Sequence, residues 1–166
     1  MQTLLPAIAT YFDGERAEAI ALAVACAGLL VGAAALVATR DRFAGGLAIV
    51  LALSAIVGLS TALPLLRRDA AHRVTLSAAV QATERARAVS AERVRMDGVV
   101  SRYAWYRYGY VALVGIAAAL GVFSRAPRTQ GIAVGLLIFA AIGFTVDHFS
   151  EARAERYRDA LGEAVG

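Results

Sequence analysis

Four uncharged runs alternate with charged segments along the chain, at 19–39, 43–66, 108–124 and 129–146. Such runs are what a bilayer demands, because hydrocarbon about 30 Å thick takes roughly 20 apolar residues at 1.5 Å rise each. The third run reaches that length by borrowing residues from 104 onward, provided that Arg107 snorkels toward the headgroups. The predicted spans are therefore 19–39, 43–66, 104–124 and 129–147. Helix is the expected form, since lipid offers the backbone no hydrogen-bond partners.

The connections differ sharply in length. Arg40-Asp41-Arg42 and the Ser124–Gln130 segment with Pro127 are tight turns, whereas 67–103 is a long polar excursion. That excursion is rich in helix formers and has no proline. Asp69–Arg73, Glu84–Arg87 and Glu92–Arg95 are acid-before-base pairs at helical spacing, each a modest support. The second span is predicted to continue outward as helix, turn within 82–90 and return into the third span. Gly98 is a possible break. Pro64 allows a kink or a stop near the end of the second span.

Residues 1–18 form an amphipathic lead-in, with Leu4, Leu5, Ile8 and Phe12 at roughly helical spacing and Pro6 suited to a first turn. It is expected to lie on the membrane surface. Without a basic n-region or a cleavage-site pattern, it does not read as a signal peptide. Residues 148–166 form a charged C-terminal helix. The fold class is thus an all-α membrane protein, an up-down bundle of four transmembrane helices in one domain. Helices 2, 3 and 4 extend beyond the bilayer on one side.

Composition strengthens this reading. The 166 residues are 59% hydrophobic, above the roughly 45–50% of a soluble domain, and mean hydropathy is +0.61. The 17 basic residues are all arginine, and the net charge of +4 suits anionic lipid headgroups. Acids are interleaved with the arginines, so no nucleic-acid partner is expected. Cys26, the single cysteine, excludes an intramolecular disulfide and reads as a packing residue. The tight turns hold Arg40, Arg42, Arg125 and Arg128. The other face holds the remaining arginines, which places the termini in the cytoplasm of a bacterial inner membrane. The first span dissents locally, with three acids before it and two arginines after.

Candidate chemistry gathers where charge meets apolar sequence. Asp147, Glu151, Glu155, Asp159 and Glu163 recur every four residues. Like charges at that spacing destabilise a bare helix, so cations should lie opposite. If the last two spans are antiparallel about Pro127, Glu151 is level with Arg102, and Glu155 to Asp159 with Arg95. The first hairpin sets Glu15 level with Arg67. Both hairpins are expected to carry ion pairs just outside the hydrocarbon. Phe12-x-x-x-Arg16-Ala17-Glu18 is echoed by Phe149-x-x-x-Arg153-Ala154-Glu155, which also points to the chain ends meeting.

Small residues at four-residue spacing, Gly28/Gly32, Gly115/Ala119 and Gly131/Gly135, mark close helix packing. Tyr103, Trp105, Tyr106, Tyr108 and Tyr110 read as an interfacial aromatic belt. Glu15, Glu18, Asp147, His148 and Glu151 are the candidate metal ligands, since carboxylates and a histidine on facing helices can bind a transition metal. The pattern lacks the paired Glu-x-x-His motifs of di-metal bundles, and no cofactor is predicted. No catalytic motif stands out, and no ionisable residue lies within a run. The expected function is a non-enzymatic membrane interaction or assembly protein. It would self-associate through small-residue faces, as a homo-oligomer or with a membrane partner. An oligomeric channel or small-solute transporter is the first alternative, and an interfacial metal-binding protein or enzyme the second.

Overall fold

A computed structural model describes residues 4–82 and 85–164. They form four helices: α1 (Leu4–Ala38), α2 (Arg42–Gln81), α3 (Arg85–Phe123) and α4 (Pro127–Glu163). Each contains a stretch long and apolar enough to cross a membrane. Forty residues of helix reach roughly 60 Å, about twice the hydrocarbon thickness. The helices alternate in direction, so every charged half comes to one end of the bundle.

The turns have local causes. Arg40 adopts a left-handed φ of 58°, and the Asp41 carboxylate caps α2 by accepting from the Ala44 amide at 2.8 Å. Pro127 opens α4, where its missing amide costs nothing. The Gln130 side chain donates to the carbonyls of Gly121, at 2.9 Å, and Ser124, satisfying the frayed end of α3. The helix α2 passes unbroken through Pro64, and α3 through Gly98. The excursion turns where α2 ends at Gln81 and Ala82 becomes extended. Glu84, and with it the expected Glu84–Arg87 pair, lies outside the described residues, as do Met1, Gln2 and Thr3.

The lead-in is not a separate surface helix; it is the first four turns of α1. Its apolar face has a better partner than headgroups. Leu4, Ile8, Tyr11 and Phe12 are buried with Leu76 and Val80 of α2, Val89 and Met96 of α3, and Ala154, Tyr157 and Leu161 of α4. Tyr11 stacks on Tyr157 at 4.4 Å between ring centroids. Large side chains fully buried are worth about 1.5–3 kcal/mol each, so this charged end has a core of its own.

The apolar end is packed differently. Helices α2 and α4 run parallel and touch along their length, while α1 and α3 sit on opposite flanks. A Cβ added at Gly131 would overlap the Phe43 carbonyl oxygen, and one at Gly46 would overlap the Arg128 carbonyl oxygen. One turn on, a Cβ at Gly135 would stand 2.7 Å from Val50 Cβ. The backbones therefore meet directly where α2 and α4 begin. On α1, buried Cys26 fills the notch left by Gly58, where a Cβ would stand 2.5 Å from its sulfur. Within its apolar half α3 buries only Ala117. Large apolar side chains of all four helices face outward, among them Val31, Leu53, Val122 and Ile142.

Candidate functional site

The charged end carries two linked polar clusters. The deeper one is centred on Glu92 of α3, 3% exposed. Its carboxylate accepts from Arg95 Nε at 2.8 Å and Arg95 Nη2 at 2.7 Å, from Tyr157 Oη at 3.2 Å, and is hydrogen-bonded to His72 Nε2 at 2.9 Å. The Arg95 guanidinium also faces the Tyr11 hydroxyl of α1, whose oxygen is an acceptor for its N–H groups. Helix by helix, α1 supplies Tyr11, α2 His72, α3 Glu92 and Arg95, and α4 Tyr157. The backbones of α1 and α3 do not approach, so it is side chains at this end, the network together with the adjoining apolar core, that join all four helices. Phe12 packs edge-on against the His72 ring at 5.8 Å and walls the cluster.

The second cluster lies nearer the apolar runs and joins α4 to α1. Arg153 reaches Glu15 Oε1 at 2.9 Å and also binds Glu18. Its stem crosses α1 over Gly14, where a Cβ would stand 2.6 Å from Arg153 Cδ. The Ser150 hydroxyl donates to Glu18 as well. On the other flank, α4 meets α3: Glu151 takes Arg107 at 2.7 Å and Asp147 accepts from Tyr110 Oη at 2.7 Å. Gly143 makes room for the Tyr110 ring, since a Cβ there would stand 2.5 Å from it.

These pairings fall differently from simple hairpin register. Glu15 is held by Arg153 on α4; Arg67 is exposed and has no ion pair among the described residues. Glu151 goes to Arg107, further along α3 than Arg102, which is exposed and likewise unpaired among the described residues. Arg95 serves Glu92 on its own helix. Arg73 leaves Asp69 to bind Asp13. Asp159 pairs with neighbouring Arg158, and Glu155 is exposed. The carboxylate ridge explains this split: four-residue steps drift about 40° each around a helix. Its first members face α3 and its later ones face water.

The five candidate metal ligands are similarly divided. Glu15 and Glu18 converge on a guanidinium, Asp147 and Glu151 take partners on α3, and His148 is exposed beside Phe149. Among the described residues, no group of three or more His, Cys, Asp or Glu side chains is placed to hold a metal ion. Of the packing glycines, Gly131 and Gly135 serve the α2–α4 contact inside the chain. Gly28, Gly32 and Gly115 face open space. The two Phe-x-x-x-Arg-Ala-Glu segments do meet, through Arg153, but without matched roles: Phe12 is buried and Phe149 is 64% exposed. In the aromatic belt Trp105 and Tyr108 are exposed and edge-on, while Tyr103 and Tyr110 turn inward.

Glu92 and Glu15 respond oppositely to their surroundings. Burial pushes the Glu92 carboxyl up, but hydrogen bonds and charge from Arg95 and His72 outweigh it and leave it below its ordinary 4.5. Burial raises Glu15 above that value despite Arg153. A depressed carboxyl contributes stability above its unfolded pKa and loses it as pH falls through the folded one; a raised carboxyl does the reverse. Acidification from neutral pH should therefore first relieve Glu15, then cost the Glu92 network below about pH 4.5. Melting temperature measured from pH 7 to 3 in detergent should fall at the acid end, and less in Glu92→Gln. Equal acid slopes would assign the loss to other groups.

Compared with family models, curated proteins and solved structures, the chain matches none. What stands is a class: an all-helical chain whose four long apolar helices point to an integral membrane protein.

Proposed function

We propose that this chain is a non-enzymatic assembly protein of a bacterial inner membrane, with its termini and charged helical end in the cytoplasm. In this reading the apolar halves lie in lipid with anionic headgroups. The charged halves project as a compact four-helix unit that docks a partner, and copies associate through open small-residue faces. The observation that carries it is the division of each helix into two regimes. One half exposes its large apolar side chains, and the other buries a separate core behind a charged surface. The lipid-facing half supplies the association surface, because a side chain added at Gly28 or Gly32 of α1 or at Gly115 of α3 would point into open space. The outward arginines of the charged half supply attraction to anionic headgroups.

The test is oligomeric state in lipid nanodiscs or mild detergent, by light scattering and cross-linking. Wild type should exceed a monomer. Gly28→Leu/Gly32→Leu should shift it toward monomer with an unchanged melting temperature, because those positions are open. A wild type that stays monomeric at every protein-to-lipid ratio would sink the self-association.

A further inference from the structure

Between α1 and α2, where charge gives way to apolar sequence, lies a cleft of about 290 Å³. Leu65 and Leu66, the last residues of the second apolar run, form its apolar wall with Phe12. Glu15, Arg16, Asp69 and Arg73 supply its polar side, with Glu15 taken up by Arg153. Asp69 is the odd member. Its side chain is only 12% exposed, yet it receives no hydrogen bond from the described residues. Its ion pair is with Arg68, at 3.5 Å, whose own side chain is 71% exposed. Among the described residues no buried side-chain oxygen lacks a partner, so the Asp69 oxygens open onto the cleft, where a donor from outside the chain can reach them. Arg16, on the same cleft, is exposed and has no ion pair among the described residues. Arg73 is held by Asp13, itself 61% exposed. The cleft thus offers one acceptor lacking a donor, a free guanidinium and an apolar wall that continues into the lipid-facing run.

We propose that this cleft binds a glycerophospholipid with both a phosphate and a primary ammonium in its headgroup, an ethanolamine lipid. Its ammonium donates to Asp69, its phosphate meets Arg16 and its acyl chains lie along Leu65 and Leu66. A primary ammonium carries three donors, and a choline headgroup carries none, so Asp69 separates the two. A glycerol headgroup brings no cation for Asp69. The inference rests on the membrane reading above.

Full-length protein purified in detergent would be delipidated, then loaded with ethanolamine, choline or glycerol phospholipids of matched acyl chains. Retention is read by native mass spectrometry and by thermal shift. Ethanolamine lipid should be retained on the order of tenfold better than choline lipid, as one charge-assisted hydrogen bond allows. Asp69→Asn should erase that preference, and Arg16→Gln should weaken all phospholipids alike. Ala70→Trp, which fills the cleft from an exposed position, should block retention even if Asp69→Asn folds poorly. Equal retention of ethanolamine and choline lipids, or preference for glycerol lipid, overturns the assignment. If the protein stayed soluble without detergent, the membrane reading itself would fail; indifference to headgroup in a detergent-requiring protein removes only this site.

Discussion

Replacing Gly131 with alanine is expected to destabilise the bundle by about 1–3 kcal/mol, the usual range for overpacking a tight contact. The same change in an open helix interior would stabilise by roughly 0.5–1 kcal/mol, because alanine loses less backbone entropy. The sign comes from the neighbour. A methyl at Gly131 would overlap the Phe43 carbonyl oxygen and stand 2.9 Å from the Leu47 amide nitrogen, and backbone cannot rotate aside as a side chain can. Gly46→Ala should cost a similar amount, for its methyl would meet the Arg128 carbonyl from the opposite side. Because the two glycines form one crossing, the double variant should cost less than the sum. Gly28→Ala is the control and should be neutral or stabilising, since nothing lies within 4 Å of its added carbon. Reversible unfolding in mixed micelles would compare the four. A Gly131→Ala protein as stable as Gly28→Ala would mean that α2 and α4 do not cross there.

Glu92→Leu should be the most damaging single change at the charged end, costing about 3–5 kcal/mol. It strips the Tyr157 hydroxyl, buried in the core with Tyr11 and Met96, of its acceptor, and leaves the half-buried Arg95 without its ion pair. Glu92→Gln keeps the shape and one acceptor oxygen, so it should cost less, about 1–2 kcal/mol. Adding Arg95→Met to Glu92→Leu should recover most of the loss, because replacing a buried pair together avoids the orphaned charge. Amide exchange would show where the damage goes. Protection should fall in 4–18, 67–81, 85–103 and 150–163, while the apolar halves stay protected. Wild-type protection throughout would show that the network does not hold the charged end together.

Helix boundaries followed from local chemistry and were legible early. Uncharged runs ended by arginine and aspartate, the tight Arg40-Asp41-Arg42 turn and a proline at 127 all act within a turn or two of chain, whereas the cap that Asp41 places on α2 is visible only in the structure. The deeper site was only partly legible. Glu92 and Arg95 are a readable i, i+3 pair. Nothing in their spacing says that His72 and Tyr157 will share the same carboxylate, because those residues arrive from other helices. The lead-in was misplaced for a related reason. Its apolar face needs cover, and periodicity cannot tell headgroups from a neighbouring helix. Four-residue spacing singles out Gly28 and Gly32, whereas Gly46, Gly58 and Gly143, which stand in no such glycine pair, are the ones that backbone or side chains press against.

By itself, then, the order of residues determined four long helices, their alternation in direction and the gathering of charge at one end. Those depend on hydrophobicity and capping, which are short-range or additive along the chain. Tertiary structure alone decided which helices touch: α2 with α4 through paired glycines, and α1 with α4 through Arg153 over Gly14. It also decided which of several arginines answers each carboxylate. An arginine side chain reaches more than a full turn of helix, so charge pattern leaves many partners equally near, and only the packed rotation and offset of the helices choose among them.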